Sequence, residues 1–142
     1  MQLYVLSILL VVLSNVLYHI FAKSIPLNAN PFSALLVTYL SAFILTLIGF
    51  FIFKDEKGFL QSFKDVNWSS IALGASVVGL EMGYLMAYRA GWNISVASIV
   101  SNIFLALLLI PVGVFMFHEG FSVTKFLGVG ICIFGLVLLN LK

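Results

Sequence analysis

Five apolar runs, each about as long as a bilayer is thick, constrain this chain more than any other feature. They cover residues 3–22, 31–53, 68–89, 95–117 and 122–141. A spanning helix needs about 20 predominantly apolar residues. Inside hydrocarbon, only helices and closed barrels satisfy their own backbone polar groups. The expected fold is therefore all-α: an integral, multi-pass membrane protein of five transmembrane helices, forming one domain over residues 1–142. Composition agrees, with 63% hydrophobic and 8% charged residues. A soluble domain carries about 45–50% and about 25%. A chain of 142 residues cannot hide that much apolar surface from water by folding on itself, so the bilayer must serve as its solvent.

Local chemistry punctuates the runs. Asn28-Ala29-Asn30-Pro31 opens the second, Asn67 is a candidate N-cap of the third, and Ser95 and Ser122 open the fourth and fifth. Lys23 stops the first run, and Lys54-Asp55-Glu56-Lys57 closes the second. Only His118-Glu119-Gly120-Phe121 separates the last two runs, which implies a tight antiparallel hairpin. Glu119 reads as a helix-start residue that satisfies free N–H groups of the fifth helix. The polar loop 54–67 mixes Phe59, Leu60 and Phe63 with charges, as a short interfacial amphipathic helix would. The first run has no Lys or Arg before it and no A-x-A site, so an uncleaved first span is expected rather than a signal peptide.

Charge gives a second message. With five spans, Lys54, Lys57, Lys64 and Lys125 fall on one side, and Lys23, Arg89 and Lys142 on the other. The positive-inside rule needs a bias to set orientation, and four against three is nearly none. Two readings stay open: a weak preference for the N-terminus inside, or insertion in both orientations with pairing of inverted copies. Net charge of +2 leaves no electrostatic footprint for nucleic acid. Cys132 is the single cysteine, so no intramolecular disulfide is possible, and no Cys/His metal spacing appears. Neither a nucleophile–base pair nor a phosphate loop is present. No metal, cofactor or enzymatic activity is expected.

Glu81 lies deep in the third run, where an acidic residue at a helix centre costs roughly 2.5–3.5 kcal/mol on insertion scales. Such residues face protein-lined cavities and mark ion or substrate paths, and a carboxyl held there is a candidate proton carrier. Tyr84 and Tyr88 follow at i+3 and i+7 on the same face. Their rings and hydroxyls suit a cationic or apolar ligand, although Tyr88 beside Arg89 also fits an interfacial belt. In the first helix, Ser14, Asn15, Tyr18 and His19 form a polar cluster. His19 titrates near physiological pH and suits proton traffic, or else it reaches the headgroups near Lys23. Asn15 bridges helices or binds substrate. In the fourth helix Ser95, Ser98 and Asn102 make a polar stripe, with Asn102 the candidate ligand contact. Pro111 removes a backbone hydrogen bond there and marks a kink or hinge. Gly79 and Gly83 form a GxxxG whose modest reading is close packing within the bundle. Arg89 stands eight positions, about 12 Å of helix, beyond Glu81. That is too far for an ion pair, so Arg89 marks the membrane boundary or attracts anionic groups.

The last third carries a family resemblance. Tyr88-Arg89-Ala90-Gly91 leads into Ser95-Val96-Ala97-Ser98-Ile99-Val100-Ser101. Pro111, Phe117-His118-Glu119, Ser122, Gly128 and Gly135-Leu136-Val137-Leu138 follow. The pattern resembles the EamA-type five-helix unit of the drug/metabolite transporter superfamily. A family-like glycine is absent before Glu119, where His118 stands. Members usually carry two inverted units per chain, and many secondary transporters place their site at such an interface. The resemblance therefore implies an antiparallel homodimer or a second five-helix subunit, in a bacterial-type plasma membrane.

The function these readings support is a half-size secondary transporter of a small organic metabolite, amine-bearing, cationic or zwitterionic. Protons couple through Glu81, and the first, third and fourth helices line the cavity during alternating access. Substrate, protons and membrane lipids are the expected partners. Two rivals remain: a subunit of a lipid-linked sugar flippase, and a non-transporting membrane assembly factor.

Overall fold

The computed structural model describes residues 2–53, 59–118, 120 and 122–140. Lys54, Asp55, Glu56, Lys57, Glu119, Leu141 and Lys142 lie outside the described residues, as do the side chains of Phe59, Leu60 and Lys125.

Among the described residues six α-helices follow one another: α1 (Gln2–Ser24), α2 (Pro31–Ile52), α3 (Phe59–Ser62), α4 (Trp68–Arg89), α5 (Ile94–Phe117) and α6 (Val123–Asn140). A 3₁₀ turn, Phe63–Asp65, continues α3. Among the described residues, four helices, α1, α2, α4 and α5, are long and apolar enough to cross a membrane. The expected third span coincides with α4. The others differ at their ends by one or two residues, as helix termini commonly do.

Local sequence explains the boundaries. Asn30 stands in extended conformation before Pro31 and accepts from the N–H groups of Phe32 (2.9 Å) and Ser33 (3.4 Å). Proline at the first helical position loses nothing, because its N–H would be unpaired there anyway. Asn67 caps α4 by accepting from Ser69 N–H at 3.0 Å and from its hydroxyl at 2.6 Å. Gly91, with φ +95, ends that helix and donates to the Tyr88 carbonyl at 3.1 Å. Such a backbone favours glycine, which has no β-carbon to clash. At the end of α5 the left-handed position is taken by His118 (φ 53, ψ 32), whose N–H reaches the Gly113 carbonyl. The fourth expected start shifts: α5 begins at Ile94, and Asn93 precedes it without a side-chain cap bond.

Hydroxyls inside the spans bond back to their own helices. Thr38, Ser41 and Thr46 in α2 each donate to the carbonyl four residues earlier, at 3.1, 2.9 and 2.8 Å. In hydrocarbon no water would satisfy them, and this pairing lets them sit in an apolar helix. Large apolar side chains remain uncovered along the helices, Leu10 at 66% and Leu108 at 69% among them. That is the surface a lipid-facing chain presents.

Two compact units divide the chain, Met1–Gly91 and Trp92–Lys142. In the first, α4 packs against both α1 and α2. Its core is small: His19, Leu35, Leu85 and Tyr88 are each at most 5% exposed. Phe63 lies against Phe50 of α2, with ring centroids 6.3 Å apart. In the second unit, α5 packs against α6, and α5 runs without interruption through Pro111.

One expectation is corrected. A β-carbon on Gly79 or Gly83 would meet nothing within 4 Å. These glycines stand about half a turn around α4 from Glu81, whereas α4 packs through Leu85 and Tyr88. Within the first unit the GxxxG does not bring helices together.

Candidate functional site

Three helices of the first unit converge around Glu81. A cavity of about 310 Å³ lies among them, lined by Tyr18, Phe21, Ala22 and Ile25 from α1 and the turn after it. Leu35 and Thr38 of α2 and Glu81 and Leu85 of α4 complete it. Its volume is at the small end of ligand pockets, which run from roughly 300 to 1,000 Å³. Most of the wall is apolar, and Glu81 is the one carboxyl among its described lining residues.

Two tyrosines attend the carboxyl. Tyr18 and Tyr39 are each close enough to Glu81 to interact with it electrostatically. The Tyr39 hydroxyl approaches the carboxyl without meeting the geometry of a full hydrogen bond, and both hydroxyls are buried without a partner. A buried hydroxyl left unpaired is costly and is normally satisfied. Here a carboxyl and two phenolic groups stand ready to exchange hydrogen bonds with a ligand or water.

Beside the cavity the aromatic side chains form a cluster. The His19 ring meets Tyr84 edge-on at 4.8 Å and Tyr18 at 5.1 Å, while Tyr18 meets Tyr84 at 5.8 Å. Tyr84 and Tyr88 stack at 6.0 Å. The Tyr88 hydroxyl lies 2.7 Å from His19 Nδ1 in a buried hydrogen bond. The Lys23 ammonium sits 5.4 Å from the centre of the Tyr88 ring, within cation–π range. Arg89 turns towards the α1–α2 connection, where Nη2 donates to the carbonyls of Ala29 (2.6 Å) and Pro26 (3.5 Å).

The placements refine the sequence reading. Glu81, Tyr84 and Tyr88 share a face, and Tyr18 and His19 meet that face from α1. His19 and Tyr88 are buried against one another. Asn15, one turn before His19, is exposed. Asn102 is in the other unit and is also exposed, and its Nδ2 donates to Ser98 Oγ at 3.4 Å. Arg89 bonds to main-chain carbonyls of the α1–α2 connection. Sequence reasoning missed the contribution of α2, since it assigned the cavity to the first, third and fourth helices. Thr38-Tyr39, a polar pair in mid-span, was the available signal. Among the described residues, no three His, Cys, Asp or Glu side chains gather as a metal site would need.

Comparison with known proteins agrees with the all-helical membrane architecture. The family model described as the EamA-like transporter family matches residues 2–141. No curated protein and no solved structure matches the chain.

Proposed function

Because the chain belongs to the EamA-like transporter family, within the drug/metabolite transporter superfamily, we propose that it is a half-size secondary transporter of a small amine-bearing metabolite. Its setting is a bacterial-type plasma membrane. The observation that carries this reading is a lone carboxyl, Glu81, opening on an apolar cavity with the phenolic hydroxyls of Tyr18 and Tyr39 close by. A carboxylate flanked by aromatic rings attracts an organic cation by charge and by the ring faces. The same carboxyl can take a proton, so substrate and proton compete for one group. In this reading α6 is the fifth span. Its 18 residues rise about 27 Å, close to the hydrocarbon thickness of about 30 Å. Two copies in opposite orientations supply the inverted pair that alternating access needs.

The test uses purified protein in liposomes with an imposed pH gradient and a panel of labelled amines. Glu81→Gln is expected to abolish proton-driven accumulation while elution volume and helical content stay unchanged. Undiminished proton-driven uptake by that variant would remove Glu81 from the mechanism.

A further inference from the structure

A second cavity, of about 330 Å³, lies at the end of the first unit where α4 finishes, and Lys23, Tyr88 and Arg89 line it. It shares Ala22, Ile25 and Leu85 with the Glu81 cavity, so the two adjoin along an apolar wall. Their electrostatics are opposite. The first holds a carboxyl, whereas the second has two cations and no carboxylate among its lining residues. Arg89 is held in place by the carbonyls of Ala29 and Pro26. Carbonyls accept hydrogen bonds without carrying net charge, so these bonds fix the guanidinium without neutralising it. Its Nε is buried without a partner. Two cations, Lys23 and Arg89, on one small cavity form a seat for an anionic group.

We propose that this second cavity takes the anionic end of the molecule whose amine sits at Glu81, so that the substrate is a zwitterion with its charges separated by an apolar segment. The proposal rests on the amine reading of Glu81 given above. Spacing narrows the class. Glu81 and Arg89 stand eight residues, about 12 Å, apart along α4. An α-amino acid, with both charges on one carbon, does not reach both. An amino acid whose charges are separated by several methylene groups does, and its methylenes lie along Leu85, Ile25 and Ala22. A carboxylate and a phosphate offer the same chemistry to Lys23 and Arg89, so a lipid headgroup is the competing occupant that the test must separate.

The experiment measures equilibrium binding of labelled 6-aminohexanoate, hexylamine and hexanoate to the full chain in phosphatidylcholine nanodiscs. 6-Aminohexanoate is expected to bind about tenfold more tightly than hexylamine. Lys23→Gln is expected to erase that advantage and Lys23→Arg to retain it. Equal affinities for 6-aminohexanoate and hexylamine in the unaltered protein would overturn the anionic seat and leave the amine site standing. Hexylamine binding that survives Glu81→Gln would instead sink the amine reading. Hexanoate binding lost in Lys23→Gln would in that case still support the seat. Discs containing phosphatidylglycerol decide the source. An advantage that persists in them supports the substrate. If phosphatidylglycerol is retained in a Lys23-dependent way and abolishes the advantage, the cavity belongs to lipid and the proposal falls.

Discussion

Tyr88 and His19 are 69 positions apart in sequence, yet they form a buried hydrogen bond of 2.7 Å. In a protein-lined, water-poor site, removing one partner leaves the other with a desolvation penalty of about 1–3 kcal/mol. Tyr88→Phe is therefore expected to destabilise the protein by that amount, read as a lowered midpoint of thermal unfolding in detergent. His19→Phe with Tyr88→Phe should be milder than the sum of the two single changes, because no polar atom is then stranded. Strictly additive losses would mean that the bond contributes nothing of its own. Glu81, Tyr84 and Tyr88 were legible as one face because helical spacing is written in the sequence. The bond from Tyr88 to His19, and the approach of Tyr39 to Glu81, were not. They depend on which helices are neighbours, and no pattern along a single helix records that.

The ends of the helices show which local rules the chain obeys and which it breaks. α4 was readable to the residue because Asn67 and Gly91 bound it with strong chemistry of their own. α1 runs past Lys23 to Ser24, since a charge can end an apolar run without ending a helix. Gly91 and His118 then make a matched pair of tests, since both have positive φ (+95 and 53). A β-carbon in left-handed backbone costs roughly 1–2 kcal/mol. Gly91→Ala is expected to lower stability by about that much. His118→Gly is expected to raise it by up to about 1 kcal/mol, the gain being trimmed by the greater freedom of glycine in the unfolded chain. Denaturant titration of the helical signal would check both. Destabilisation by His118→Gly would show that the histidine ring contributes more than its backbone loses. The family-like glycine missing before Glu119 would then have been replaced at a profit in contacts.

For the whole molecule, run length made the membrane class plain, because few other solvents can accept so much uncovered apolar surface. Orientation was not legible, since the Lys and Arg residues divide four to three across the expected faces. The antiparallel pair predicts that a tag after Lys142 is labelled from both sides of native membranes. Labelling from one side alone would exclude a homodimer of inverted copies and direct attention to a separate inverted subunit. The Arg89 tie to Ala29 and Pro26 has a mechanical consequence for any motion of the first unit. It binds α4 to the α1–α2 connection at one end only. A clasp at one end acts as the pivot, and the opposite ends travel furthest. There Phe63, just before α4, rests against Phe50 near the end of α2, so those two ends move together relative to the start of α1. A slight turn at the clasp, multiplied along about 33 Å of helix, becomes a wide opening at the far side.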